Sequence, residues 1–374
     1  MFNAECLMLN DISFLEMLCC NVSTKNTQQI NFPFNIKHPT FNIIYPFFFV
    51  FFISFQSISQ KDTLPYEMYK DKLVLYTDFG YTSGPFSIKY NFPGPTEKLK
   101  FRNNYKDVIG LGVCYKWFSL RLSMALRGSE KSELEYGKTN YFSLGFNFTQ
   151  KRFYWDVDIS SFKGYAIKNA YHWNDTLNAQ EPNDIRSNTG SFSFSINTWY
   201  FHDKGFKMSA VKGKTGHYLK EVKTWYLKTT FNIYGIGNNQ QSIIPSELID
   251  PANTKTTSPN FSASDIGLIP GYAYVNRINN WQFSGLFGLG AVLQSKYYQV
   301  NGNVRSFLGL APRYDIRFIG GFSVPKYFVF LVTDFDNKSI RYGDLVYRQS
   351  FYSVKLVAGV RIHKKEKVEG KNKR

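Results

Sequence analysis

Beyond Lys72 the chain repeats one pattern: runs of roughly ten residues with apolar side chains at every second position, separated by turn residues or polar loops. A period of two puts alternate side chains on opposite faces of a strand, so this pattern specifies β-sheet. The clearest run is Val108 to Trp117, where Ile109, Leu111, Val113, Tyr115 and Trp117 share one face and Gly110, Gly112, Cys114 and Lys116 the other. After a tight reversal, Leu120, Leu122, Met124 and Leu126 alternate with Ser119, Arg121, Ser123 and Arg127. The pattern recurs in Phe142 to Phe148, in Phe153 to Ile159 against Asp156 and Asp158, in Phe192 to Ile196, in Trp225 to Ile233 against Lys228, and in Tyr352 to Ile362. Weaker runs are Leu73 to Tyr90, Phe206 to Lys212, Gly267 to Asn276, Trp281 to Gln294, Val304 to Ile319 and Tyr327 to Phe335.

An apolar face serves either a soluble core or a lipid-facing wall, and composition favours the wall. Aromatics make up 18% of the chain, with 36 Phe, 26 Tyr and 6 Trp, a surplus that interfacial girdles and an outward apolar band absorb. A mean hydropathy of -0.30 excludes a multi-span helical protein, whose spans each need about 20 apolar residues. The expected fold is an all-β, antiparallel transmembrane β-barrel of about 12–14 strands with long loops. Lipid would face Leu111, Val113, Leu122, Leu144 and Phe146, and the lumen-facing charged candidates are Lys116, Arg121, Arg127, Asp156, Asp158 and Lys228.

Short reversals are expected near Phe118, Gln150, Asp203, Asn279 and Val324, and long connections over 93–106, 128–138, 164–188, 236–264 and 337–349. The up-down alternation then fails across 236–280. Either an extra strand lies there, giving 14 strands, or Gly267 to Asn276 does not span, giving the favoured 12.

Ahead of the barrel, Phe41 to Phe55 reads FNIIYPFFFVFFISF, preceded by Lys37 and His38 and followed by Ser57 and Ser59. This matches a secretory signal cleaved before Gln60, and about 15 residues are short for a span; a single membrane anchor is the alternative. The expected organisation is 1–59 upstream extension and signal peptide, 60–71 a short N-terminal segment, 72–362 the barrel and 363–374 a basic tail. Of the four cysteines, Cys6, Cys19 and Cys20 precede the cleavage point, leaving Cys114 with no disulfide partner.

Residues past 60 carry 43 basic against 25 acidic side chains. No nucleic-acid motif accompanies that excess, so lipid headgroups or lumenal solutes are the partners it suits. There is no GxSxG elbow and no HExxH. A barrel enzyme would have to assemble its site across strands, from His172 and His217 with Asp175 or Glu221 on one rim. The glycines of Gly110-x-Gly112 and Gly288-x-Gly290 lie inside strands and precede no helix, so neither pair is a phosphate loop.

At LKFRNNYKDVIGLGVCYKW, LEYGKTNYFSLGFNFTQKRFYWDVDISSFKGY and LIPGYAYVNRINNW the sequence resembles an uncharacterised Gram-negative outer-membrane barrel family known as a domain of unknown function. The resemblance runs from about Leu64 to Ile362. Its most specific pieces are Tyr136-Gly137-Lys138-Thr139, Phe162-Lys163-Gly164-Tyr165 and Gly271-Tyr272-Ala273-Tyr274. It implies location and architecture but no activity, and the basic tail departs from the usual terminal aromatic strand residue.

The expectation is therefore a non-enzymatic bacterial outer-membrane barrel: a narrow pore, a transport component or a structural surface protein. Its partners would be outer-membrane lipid and the barrel assembly machinery, with no cofactor and no nucleic acid. The alternatives are a barrel enzyme acting on lipid or peptide and a soluble secreted β-protein that binds a ligand. An open lumen would prefer anions, because Lys116, Arg121, Arg127 and Lys228 outnumber Asp156 and Asp158.

Overall fold

A computed structural model describes residues 64–363, apart from Lys70, Pro95, Tyr105, Lys106 and Gln240. The segment expected to be a signal peptide and the tail beyond His363 lie outside the described residues. In chain order the elements are β1 (Tyr66–Met68), β2 (Lys72–Ser83), β3 (Phe86–Lys89), β4 (Lys98–Arg102), β5 (Val108–Tyr115), β6 (Phe118–Ala125), the one-turn helix α1 (Glu133–Tyr136), β7 (Asn140–Gln150) and β8 (Phe153–Ile167). There follow β9 (Asp184–Phe201), the one-turn helix α2 (Met208–Val211), β10 (Gly216–Tyr218), β11 (Val222–Asn238), β12 (Asn260–Ile278), β13 (Trp281–Val300), β14 (Asn303–Ser323), β15 (Tyr327–Tyr342) and β16 (Leu345–His363).

Twelve strands close an antiparallel ring in the order β2, β5, β6, β7, β8, β9, β11, β12, β13, β14, β15, β16. Closure is made by β16 on β2, from Tyr352 opposite Ser83 to His363 opposite Lys72. The near rim carries both ends of this barrel and the turns at 116–117, 151–152, 279–280 and 324–326. The far rim carries most of the longer connections, and there β3 and β4 extend the wall by bridging β16 to β8 above the shorter β2, β5, β6 and β7.

Bonds between strands that are not neighbours identify the inner face. Trp199 of β9 reaches Asp315 of β14, Lys338 of β15 reaches Ser193 and Ser195 of β9, and Gln349 of β16 reaches Ser191 of β9. The opposite face presents Leu111, Leu122, Ile266, Phe283, Phe287, Leu289, Leu331 and Leu356, all exposed. A soluble β-protein would bury such a belt; lipid is the solvent that suits it. Along the near rim aromatic ladders ring the wall: Trp117, Phe148 and Trp155; Phe153, Tyr200 and Trp225; Trp281, Phe322 and Tyr327. These are rings suited to a membrane interface.

Followed from the near rim, the inward side chains of β8, β11 and β15 change from apolar to polar and back to apolar. On β11 they are Tyr226, then Lys228, Thr230 and Asn232, then Tyr234; on β8 they are Tyr154, then Asp156, Asp158 and Ser160, then Phe162. The near apolar layer packs Tyr76, Trp199, Phe201, Tyr226, Phe328 and Phe330 against Phe206, Met208 and Val211 of the 202–221 connection. The far layer packs Phe86, Ile88 and Phe101 against Tyr165, Ile244, Tyr298, Ile340 and Tyr347. Gly112 on the inner face is required by the near layer, since a Cβ there would fall 2.1 Å from the Tyr76 ring.

Several expectations are corrected. Gly267 to Asn276 belongs to the spanning strand β12, and Phe206 to Lys212 is no wall strand but contains α2, folded into the barrel mouth. The count of 12 thus holds for a different reason. The reversal expected near Asp203 is a long inward connection that also holds β10, which pairs with β1. Positions 337–349 form the ends of β15 and β16 around a two-residue turn, and 93–106 contains β4. Leu73 to Tyr90 breaks at Gly84-Pro85 into β2 and β3.

Candidate functional site

The polar middle layer is where chemistry would reside. Arg121 of β6 forks onto Asp78 of β2, with Nε donating to Oδ2 at 2.7 Å and Nη2 to Oδ1 at 3.2 Å. Asp315 of β14 accepts from Lys228 at 3.1 Å, from the Trp199 indole at 2.9 Å and from the Tyr226 hydroxyl at 2.8 Å. Arg313, two residues away, pairs with Asp265 and donates to Tyr234 Oη at 3.0 Å, while Asn232 donates to Asp265 at 2.6 Å. Arg317 pairs with Asp334, and Lys338 donates to Ser193 at 2.6 Å and Ser195 at 3.1 Å. Such charges are tolerable in a water-poor interior because each is matched by an opposite charge and further hydrogen bonds.

Arg121, Asp156, Asp158 and Lys228 all lie in this layer: Asp158 accepts from Ser143 at 3.4 Å, and Asp156 lies 3.7 Å from Lys212 Nζ of the inward connection. Lys116 and Arg127 do not. Lys116 is exposed in the β5–β6 turn with a left-handed φ of 52°, and Arg127 is exposed past the end of β6. The acids Asp78, Asp265, Asp315, Asp334 and Asp336 escaped the sequence reading, as did Arg313, Arg317 and Lys338. Their inward position was signalled only by a spacing of two, as in Arg313-x-Asp315-x-Arg317, within runs whose alternation is otherwise weak. With these residues included, acids are as prominent as bases in the lumen, and the expected excess of cations over Asp156 and Asp158 disappears.

No catalytic constellation forms from the candidate histidines. His172 sits in the far-rim 168–183 connection and His217 in β10 at the near rim. Glu221 pairs with Lys223 at 2.5 Å instead, and Asp175 is exposed in the same far-rim connection as His172. His217 is buried and accepts from Tyr69 Oη at 2.6 Å through Nδ1. Burial, with Arg277 and Arg361 nearby, pulls its pKa down to about 4, whereas burial pushes the Tyr69 phenol up. Lys212, in the inward connection, is drawn down to about 8 by burial, which the Asp156 carboxylate only partly opposes. Among the described residues no group of three or more His, Cys, Asp or Glu side chains is placed to hold a metal ion.

The inward connection is anchored from two strands of the wall. Gln282 of β13 donates to the carbonyls of Ala210 at 3.0 Å and Val211 at 2.9 Å and accepts from the Tyr218 amide at 2.9 Å. Arg361 of β16 donates to the Lys214 carbonyl at 2.9 Å and Ser323 Oγ at 2.9 Å, and also to the carbonyls of Gly213 and Val324. Two buried side chains, three strands apart in the wall, thus hold 202–221 in the mouth as a plug.

Among solved structures the chain is similar to the outer-membrane protease OmpT of Escherichia coli, at 8% identity over 79% of this chain and 98% of that one, with a TM-score of 0.35. It is similar also to the toluene transporter TodX of P. putida, at 7% identity over 79% and 90% of the two chains, with a TM-score of 0.26. The translocator domain of the autotransporter NalP of Neisseria meningitidis matches at 9% identity over 78% and 88%, with a TM-score of 0.28. No curated protein sequence matches. Residues 60–361 match the family described as a domain of unknown function, DUF4421, and the chain belongs to that family of barrels.

Proposed function

We propose that this protein is a sealed outer-membrane barrel that neither conducts nor catalyses, a structural surface component of a Gram-negative envelope. The observation that carries this reading is the three-layer interior: two apolar layers, one holding the plug, flank a charge-matched polar layer whose side chains bond from strand to strand across the lumen. An ion would have to enter apolar packing twice and break paired charges between. In this reading the near rim with its short turns faces the periplasm, and the chain is exported by a signal peptide cleaved before Gln60. The assembly machinery then inserts it into outer-membrane lipid. The separation of His172 from His217 across the height of the barrel supports a non-enzymatic role.

Planar-bilayer recording of the refolded chain, confirmed as folded by heat-modifiable migration, tests the reading. The expected result is no unitary current in molar salt. Steady unitary current from the unaltered protein would refute a sealed lumen.

A further inference from the structure

A cavity of about 390 Å³ lies at the near rim between the plug and the wall formed by β5, β6 and β7. Lys116, Lys207, Lys212 and Lys214 line it with a single carboxylate, Asp71. Lys212 is engaged by Tyr154 and by Asp156 at 3.7 Å, and Lys207 donates to the Lys151 carbonyl at 3.4 Å. Lys116 and Lys214 instead lie over the rings of Tyr115, at 5.3 Å, and Tyr76, at 3.6 Å; among the described residues neither is in ion-pair contact with a carboxylate. Two hydroxyls on the same lining, Thr215 Oγ1 and Ser209 Oγ, have no hydrogen-bond partner, although Thr215 is only 5% exposed. A buried hydroxyl left unpaired is costly, and ammonium groups without counter-charge leave a positive field in a low-dielectric recess.

We propose that this cavity is a binding site for a phosphoryl anion. Ammonium and hydroxyl donors converging from two sides suit a doubly charged, three-oxygen acceptor better than a carboxylate, while Met68, Trp117 and Phe118 supply an apolar wall for whatever the phosphate is attached to. The volume falls within the usual range for small-molecule sites. The source is either a soluble phosphate ester or the headgroup of a phospholipid in the adjoining leaflet, since Trp117 is exposed at the aromatic girdle. The proposal does not depend on the sealed-lumen reading, because binding is measured without current.

The test uses the full chain, folded in detergent or in nanodiscs. Calorimetric titration with glycerol phosphate should give one saturable site, at least tenfold tighter than with acetate; the double variant Lys116→Gln, Lys214→Gln should weaken it at least tenfold while keeping heat-modifiable migration. In nanodiscs of phosphatidic acid and phosphatidylcholine, native mass spectrometry should show one phosphatidic acid retained by the parent and lost from the double variant if the source is lipid. Saturation in the first arm assigns a soluble ester, and retention in the second alone assigns a headgroup. Failure of both arms, binding unchanged in the double variant, or equal binding of acetate overturns the proposal.

Discussion

The hydroxyl of Thr139 donates to the carbonyl of Gly164 at 2.8 Å and accepts the amide of Asn104 at 2.8 Å, so one side chain ties together three far-rim segments. Gly164 sits at a register shift in the β8–β9 ladder with a left-handed φ of 94°, and a Cβ there would fall 1.8 Å from the Lys138 carbonyl. This bulge redirects β8 to meet β4. Two of the family-specific pieces, Tyr136-Gly137-Lys138-Thr139 and Phe162-Lys163-Gly164-Tyr165, are therefore one structural joint.

Replacing Thr139 by Val keeps the shape but leaves an amide and a carbonyl unpaired in a buried place. The expected loss is about 1–3 kcal/mol, whereas Thr139→Ser stays within about 1 kcal/mol. Urea titration of the refolded barrel, followed by tryptophan fluorescence, compares the two. Equal stability of the Val and Ser variants would show that the joint contributes nothing.

Arg313 and Asp265 are both nearly solvent-free and paired in the polar layer. Arg313→Met should cost about 3–5 kcal/mol, because it strands a buried carboxylate. Adding Asp265→Leu should return most of that loss, since an uncharged pair has no desolvation penalty to meet. A double-mutant cycle in the same titration checks this, and strictly additive losses would contradict a direct coupling.

The alternation in the sequence revealed the wall and its two faces because lipid and lumen impose opposite polarity on neighbouring residues. It misled wherever that contrast changes. In the plug, Phe206, Met208 and Ala210 mimic a strand because all are buried, and only Val211, out of phase, betrays the difference. At the far ends of β15 and β16 the phase inverts: Ile340 and Tyr342 point into the far apolar layer while Ser339 and Arg341 point away. A stretch of apolar-inward strand flanked by polar residues reads as a loop. The charge partners were not legible, because Trp199 with Asp315, or Asp265 with Arg313, meet only once non-neighbouring strands are closed into a ring.

Leu122 is exposed on the outer face of β6 and Asn147 lies on the lumenal side of the neighbouring β7, lining the near-rim cavity. Leu122→Arg should destabilise the barrel in lipid by about 2–4 kcal/mol if the residue is near the midplane, and Asn147→Ser by less than about 1 kcal/mol. Refolding titrations in phospholipid vesicles measure both. Comparable losses would mean that the two faces have been exchanged.

The His217 imidazole has its pKa lowered by burial and by Arg277 and Arg361, despite the half-exposed Glu67 carboxylate 3.7 Å from Nε2. A depressed pKa means that the unfolded segment binds a proton that the folded one refuses. The contribution is fully present above the unfolded value of about 6.5 and is lost as pH falls toward 4, by at most about 3 kcal/mol. The 202–221 plug should therefore loosen between pH 6.5 and pH 4, seen as faster limited proteolysis there, and His217→Gln should flatten that pH dependence. A plug equally resistant at both values would rule out titration of His217 as a determinant.

The ladder between β14 and β15 runs only from Ile316 opposite Phe335 to Ser323 opposite Phe328, although β14 stays paired with β13 all the way to Asn303. Beyond Ile316 the far half of β15 turns inward, drawn by Ile340 and Tyr342 into the far apolar layer. Side chains take over the bonding of its carbonyls: Gln294 donates to Ser339 at 2.9 Å, Lys296 to Arg341 at 2.9 Å, and Arg313 to Asn337. An unpaired strand edge is not tolerated in hydrocarbon, where each free backbone group costs several kcal/mol. A band crossed by about 9–11 tilted residues, counted from Ser323, ends close to Arg313 and leaves the unpaired edge in water. On hydrogen exchange in bilayers, amides on the β15 side of Asn303–Asp315 should exchange at least about 100-fold faster than those of Ile316–Ser323, a gap of about 2.7 kcal/mol in opening free energy. Uniform protection along the whole of β14 would mean that the ladder to β15 is complete and the seam closed.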